Sequence, residues 1–240
     1  ILFRNTNANF TKATVNANYP GLKVLGVNHF ENDHYIAVDI EITAAAKPGI
    51  VNFVFTNKGE KTITPWSLLP RRKGRGTSFA QGINPSDLIY FLMPDRFSNG
   101  DPSNDQIAGL KDQSLNRDSI YDRHGGDLQG VQNHLDYMQK MGVTTLWMTP
   151  VIENDMPNRT EHGYAFTDHY TIEKRFGGDA AYLQLSDALH ARGMKLIQDA
   201  VYNHVGRFHF LVQDAPEKDW LHQWPEYTQT NYKDQTVFDP

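Results

Sequence analysis

Three short apolar runs in the second part of this chain set what it can fold into. They are LIYFLM (88–93), VTTLWM (143–148) and MKLIQDA (194–200), starting about fifty residues apart. A helical segment precedes each of the last two. LQGVQNHLDYMQKMG (128–142) places Leu128, Val131, Leu135 and Met138 at helical spacing, and DAAYLQLSDALHARG (179–193) reads as a second helix. Each closes on a glycine, the residue that suits the turn past a helix end. The order is strand, long loop, helix, strand, long loop, helix, strand. Strands that alternate with helices pair in parallel, and the continuous apolar character of LIYFLM predicts a strand buried on both faces. The long loops follow the strand C-terminal ends, where α/β folds carry their sites.

The first part of the chain reads differently. IAVDIEI (36–42) alternates, with Ile36, Val38, Ile40 and Ile42 on one face, and VNFVF (51–55) places Val51, Phe53 and Phe55 together. TVNANY (14–19) and KVLGV (23–27) are further short runs, and YPG, ENDH and KPG punctuate them. This spacing of strands and turns predicts a small all-β sandwich over 1–70. Charge changes sign between the two parts. Residues 1–85 hold 10 basic and 5 acidic residues, net +5; residues 86–240 hold 13 and 23, net −10. The reading is a sandwich (1–70), a linker (71–86), an α/β domain from 87 to 204, and a further segment from 205 to 240. The basic run Arg71, Arg72, Lys73 and Arg75 lacks interleaved aromatics, so it reads as solvated linker rather than a nucleic-acid surface. The acidic larger module also argues against nucleic acid.

With no cysteine, the chain has no disulfide, thiolate metal site or cysteine nucleophile. It contains no run of 18 apolar residues, so no membrane span is expected, and residues from Ile1 on show no signal-peptide pattern.

Two motifs carry chemistry. NGDPSND (99–105) crowds Asn99, Asp101, Ser103, Asn104 and Asp105 into seven residues. Such a stretch is either a solvated turn or a hard-cation loop. The EF-hand register fails, because the twelfth residue from Asp101 is Asp112 and the sixth is Gln106. DAVYNH (199–204) sets Asp199, Asn203 and His204 just past an apolar strand, where packing alone explains them poorly; the plain alternative is a helix N-cap beside a surface histidine.

IYFLMPDRFSNGDPSND, HGGDLQGV, GVTTLWMTPVIEN, HGYAFTDHYTIEKRFGG and DAVYNHVG occur in this order, and together they resemble the α-amylase family of glycoside hydrolases. The likeness is greatest to its cyclomaltodextrinase and neopullulanase group, and it covers 86–210 well and 1–85 more loosely. The resemblance implies that 87–204 supplies the first three βα units of a (β/α)8 TIM barrel, truncated, and that 205–240 begins the domain inserted after strand three. It implies a Ca2+ ion held by Asn99, Asp101, Asn104, Asp105, the Gly125 carbonyl and Asp127. It makes Asp199 an organiser of the active-site floor and His204 a donor to the sugar beside the scissile bond. Tyr164 becomes an aromatic platform under that sugar, with His162 as polar neighbour, although residue type alone fits Tyr164 equally to a core. Asp168 and Arg175 read as loop supports, and Trp147 as barrel filling. Trp220, Trp224 and Tyr227 suit a glucan groove or a local cluster equally.

Retaining glycosidases need two carboxylates about 5–5.5 Å apart. In the family these follow strands four and five, with a third acidic group after strand seven, so the catalytic residues are expected beyond Pro240 and none within this span. The resemblance thus implies an α-glucan hydrolase acting on cyclodextrins, maltodextrins or pullulan, with this stretch inactive alone. A non-catalytic carbohydrate- or calcium-binding protein and a transglycosylase are the alternatives. A homodimer through the N-terminal domain and an extracytoplasmic location complete the expectations.

Overall fold

The computed structural model describes residues 1–74 and 82–221. It divides into two compact units, Ile1–Gln81 and Gly82–Gln213, and the described residues from Asp214 on group with the first. Part of the expected linker, together with Trp224 and Tyr227, lies outside the described residues.

The first unit holds β1 (Leu2–Arg4), β2 (Thr14–Asn16), β3 (Leu22–His29), β4 (Tyr35–Ile42), β5 (Gly49–Asn57) and β6 (Glu60–Leu68). They form two antiparallel sheets, ordered β1-β4-β3 and β2-β5-β6. Phe3, Ile36 and Val38 from one sheet meet Val51, Phe53 and Phe55 from the other in a single core, joined by Phe10. This is the predicted alternation at work, since residues two apart share a face. Ile42, at the strand end, is instead largely exposed. The hairpin from β5 to β6 turns on Lys58 and Gly59, both at positive φ (51° and 91°), as a two-residue turn matched to strand twist requires.

The second unit holds β7 (Ile89–Leu92), α1 (Pro94–Phe97), α2 (Leu128–Asn133), α3 (Leu135–Lys140), β8 (Thr145–Met148), α4 (Gly178–Ala191), β9 (Lys195–Gln198) and α5 (Phe210–Gln213). The sheet is parallel, in the order β7-β8-β9. Leu92, Leu146 and Met148 pack against Leu128, Val131, Leu135, Met138, Leu185 and Leu189 in one core. Gly142 and Gly193 follow α3 and α4 at φ 86° and 71°. In both places the next amide reaches back five residues, Val143 to Met138 and Met194 to Leu189, closing the helix end.

Two expectations need correction. The helix expected over 128–142 is broken at His134, whose φ of −108° and ψ of 7° leave the helical region. Its ring Nδ1 sits 2.8 Å from the Gly130 carbonyl, so the side chain competes locally with the helical ladder. β7 is not buried on both faces either. Ile89 and Phe91 are 40% and 53% exposed, because the helices cover only the face that carries Leu92. No helix among the described residues is long and apolar enough to cross a membrane.

Candidate active-site wall and cation loop

The register of the parallel sheet assembles the first site. Trp147 on β8 pairs with Ile197 on β9, and Asp199 follows two residues later on the same face. Asp199 Oδ2 accepts the Tyr164 hydroxyl at 3.0 Å and the Trp147 indole N–H at 3.2 Å. Tyr164 arrives on the loop after β8. Its backbone N–H donates to His162 Nδ1 at 2.9 Å, and the two rings lie 5.9 Å apart, tilted by 30°. Because Nδ1 accepts, the neutral His162 ring carries its proton on Nε2 and has a donor to offer. Burial depresses the His162 pKa, partly countered by Glu161, which favours that neutral form. Burial raises the Tyr164 phenol, and the hydrogen bond to anionic Asp199 raises it further, so it remains a donor.

His204 closes the ring of contacts. Its Nε2 donates to the Tyr164 carbonyl at 3.0 Å, and its Nδ1 lies 3.3 Å from the Asn203 amide nitrogen. In this arrangement His204 supports the Tyr164 loop, and it must release that carbonyl to donate to a sugar. The structure therefore brings together His162, Tyr164, Asp199, Asn203 and His204. It adds Trp147, which residue type alone reads as barrel filling. The signal lay in its placement: a tryptophan at a strand's C-terminal end, one register step from the DxxxNH motif.

The loop after β7 presents the second site. Asn99 Nδ2 donates to Asp105 Oδ1 at 2.7 Å, and Gly125 lies against the same pair, where a Cβ would come within 2.7 Å of Asp105 Oδ1. Gly125 has φ 82°, which permits that approach. The side-chain oxygens of Asn99 and Asn104 are buried and meet no donor among the described residues. Two orphaned oxygens beside a carboxylate are a donor set suited to a hard cation. Burial raises the Asp105 pKa, and Asp127 and Asp101 add to the rise, against the Asn99 bond.

The other two expected ligands play visible structural parts. Fully buried Asp127 caps α2 through the Gly130 N–H at 2.6 Å, and it also accepts from the Gly100 and Asp101 amides and from Asn104. Asp101 is exposed and caps its own turn through Ser103, whose hydrogen bonds lower its pKa. Among the described residues no group of three or more His, Cys, Asp or Glu is arranged around a common metal position. The fit to a cation therefore rests on amide oxygens more than on carboxylates.

A buried polar brace holds the loops that carry both sites. Arg175 bonds Glu173 through Nε and Nη2 at 2.9 Å each, and reaches the Asp112 and Asn154 carbonyls. Burial opposes the Glu173 charge, but Arg175 outweighs it and lowers the pKa. Arg123, also buried, stacks over Phe176 at 5.0 Å and bonds Thr160. The expected supporting role of Arg175 matches this geometry. Asp168 likewise caps its turn through the Tyr170 N–H and the Thr171 hydroxyl.

The comparisons with known proteins agree with one another. A family model described as the catalytic domain of alpha amylase matches residues 91–237, and one described as cyclomaltodextrinase, N-terminal, matches 1–72. The chain is similar to neopullulanase 2 of Thermoactinomyces vulgaris, 32% identical over 203 residues, covering 78% of this chain and 31% of the relative. It is similar to a cyclomaltodextrinase of Thermoanaerobacter pseudethanolicus, 34% identical over 157 residues, covering 61% of this chain and 26% of that protein. A crystal structure of an Anoxybacillus α-amylase superposes with a TM-score of 0.51 at 38% identity, covering 63% of this chain and 31% of that one. The chain spans less than a third of the length of these relatives.

Proposed function

The chain belongs to the α-amylase family, and from that premise we propose that it supplies one wall of the active site of an α-glucan-active glycoside hydrolase. The proposed reaction cleaves α-1,4 linkages of cyclodextrins, maltodextrins or pullulan with retention. The three parallel strands serve as the first of a (β/α)8 barrel, which places the site at their carboxyl ends. The supporting observation is the convergence of the Tyr164 ring, the His162 ring and Asp199 at those ends. A sugar presents a C–H face and a rim of hydroxyls. An aromatic ring beside an imidazole N–H donor and a carboxylate acceptor complements both.

Ca2+ is the proposed occupant of the Asn99, Asn104, Asp105 and Gly125 loop, and it would fasten the long segment after β7. Retention requires a nucleophile and an acid/base carboxylate about 5–5.5 Å apart. The carboxylate of the described wall is Asp199, which already accepts two donors on one oxygen. We therefore assign the bond-breaking pair to residues other than these.

The test incubates this chain with β-cyclodextrin and maltoheptaose in calcium buffer and follows reducing ends, with saturation-transfer NMR to detect bound sugar. The expected result is sugar contact, lost in Y164A, without hydrolysis. Release of reducing ends by this chain alone would place a catalytic carboxylate within it and overturn the assignment.

A further inference from the structure

We propose that Trp147 is a positioning residue of this site, whose indole N–H fixes the rotamer of Asp199 and so aims the carboxylate that Tyr164 shares. The proposal rests on the reading of the site as a glucan-binding wall. It begins from the sheet register. Phe91, Trp147 and Ile197 are aligned partners across β7, β8 and β9, so their side chains lie in one row on the face the helices leave open. The Phe91 and Trp147 rings meet at 4.9 Å, inclined by 64°. An edge-to-face contact of this kind holds an aromatic ring in one orientation. The indole cannot turn toward β7 without striking Phe91, and its N–H reaches Asp199, the next residue of β9's row on this face.

The donor geometry assigns a specific role. Trp147 and Tyr164 both donate to the same oxygen, Oδ2, at 3.2 and 3.0 Å. A carboxylate held by two donors at one oxygen has its other oxygen, Oδ1, aimed away from both. That oxygen is the acceptor left for a sugar hydroxyl. The indole is donor-only, so it holds the carboxylate without competing with it for a sugar hydroxyl's proton. A half-buried indole N–H seeks a partner whatever its role, so having one does not by itself assign a function. The orientation of that N–H toward the motif residue, rather than toward a backbone carbonyl, is what points to a role in the site.

The test uses the full chain and the variants W147F, D199N and the double variant. First, the Tyr164 phenol is titrated with ring-labelled tyrosine, with Y164F to assign the signal. Removing the indole N–H leaves Asp199 with its charge less neutralised, so the Tyr164 pKa rises in W147F; it falls in D199N. A merely structural disturbance would loosen the loop and lower the Tyr164 pKa in both. Second, maltotriose affinity is measured by NMR titration. W147F is expected to weaken binding about tenfold, and D199N is expected to add little in the W147F background. A Tyr164 pKa that falls or stays fixed in W147F overturns the proposal, as do fully additive losses in affinity. If the wild-type chain binds no maltotriose, the glucan reading fails, and the tyrosine titration still decides the role of Trp147.

Discussion

Asn104 buries a side-chain oxygen that no described donor meets, while its amide nitrogen donates to Asp127 Oδ2 at 3.2 Å. These effects oppose one another in N104A. The lost bond costs about 1 kcal/mol and the relieved orphan returns a similar amount, so in EDTA the variant should unfold near the wild-type urea midpoint. With calcium at about a hundred times its Kd the wild type should gain about 2.7 kcal/mol, and N104A should gain much less. Equal calcium gains in the two proteins would remove Asn104 from the proposed cation site. A second residue carries a pH signal. His209 is fully buried; its Nδ1 accepts the Leu211 N–H at 3.0 Å and its Nε2 faces His169 Nδ1 at 2.9 Å. Burial, with a smaller push from His169, lowers its pKa from 6.5 to about 4, so the folded chain keeps it neutral. The unfolded chain binds the proton first. Stability from this site is therefore complete above pH 6.5 and is lost as pH falls toward 4. H209Q should flatten the urea midpoint across that window. The sequence displayed the Asn/Asp cluster and the DxxxNH motif, because both are local in the chain. Nothing in it displayed which oxygens would be left without donors.

The second unit's elements depend on close backbone approach and on one acidic clamp. Gly130, inside α2, lies so near the preceding loop that a Cβ would come within 1.8 Å of the Ser98 carbonyl oxygen. G130A improves helix propensity by up to about 1 kcal/mol, yet it must push the Ser98–Gly100 backbone off the helix, at a cost of about 1–3 kcal/mol and with Asp127's cap disturbed. The expected outcome is a net loss of stability together with a weakened calcium response, read from melting curves with and without EDTA. A G130A variant as stable as wild type would show that the loop yields freely. At the strand starts, Asp87 accepts from Lys195 Nζ at 2.7 Å, the Asn84 backbone N–H at 2.8 Å and the Thr144 hydroxyl at 2.9 Å, tying together the beginnings of β7, β8 and β9. Lys195, then the Asn84 amide, hold its pKa at about 2. A carboxyl with a lowered pKa stabilises the fold above its unfolded value near 4, and that share disappears as pH falls through 2. D87N should remove that part of the acid dependence, seen as a shallower fall of the melting temperature between pH 4 and 2. At this scale the sequence was most readable where one residue decides an outcome, as at the glycines closing α3 and α4. It was least readable at His134, where a side chain's choice of partner broke a helix that its apolar spacing supported.

At the scale of the whole chain, the two cores share no residue, one built on Phe53 and Phe55 and the other on Leu146 and Met138. The change of pattern near residue 86 foretold two modules, since a period of two gives way there to helical spacing. What the pattern could not foretell is that the described residues after Gln213 group with the first unit. Asp214 accepts from Arg4 Nη2 at 2.7 Å, from Asn32 Nδ2 at 2.7 Å and from His34 Nδ1 at 3.1 Å, partners up to 210 residues away. The Asn32 backbone N–H donates to the Pro216 carbonyl, and Phe30 meets Trp220 edge-on at 6.1 Å. Sequence periodicity is local, and a contact of this separation leaves no periodic trace. Its energetic consequence is confined to one unit. Burial disfavours the Asp214 charge, but Asn32, Arg4 and His34 outweigh it and the pKa is lowered, so the contribution is present above pH 4 and fades below. Partial exposure keeps it to about 1 kcal/mol. Calorimetry of the wild type should resolve two transitions, one for each core. D214A should lower only the sandwich transition, by about 4–8 °C, and leave the transition of the parallel-sheet unit where it was. If both transitions fall together, the two cores unfold as one, and Asp214 supports the whole chain rather than the sandwich alone.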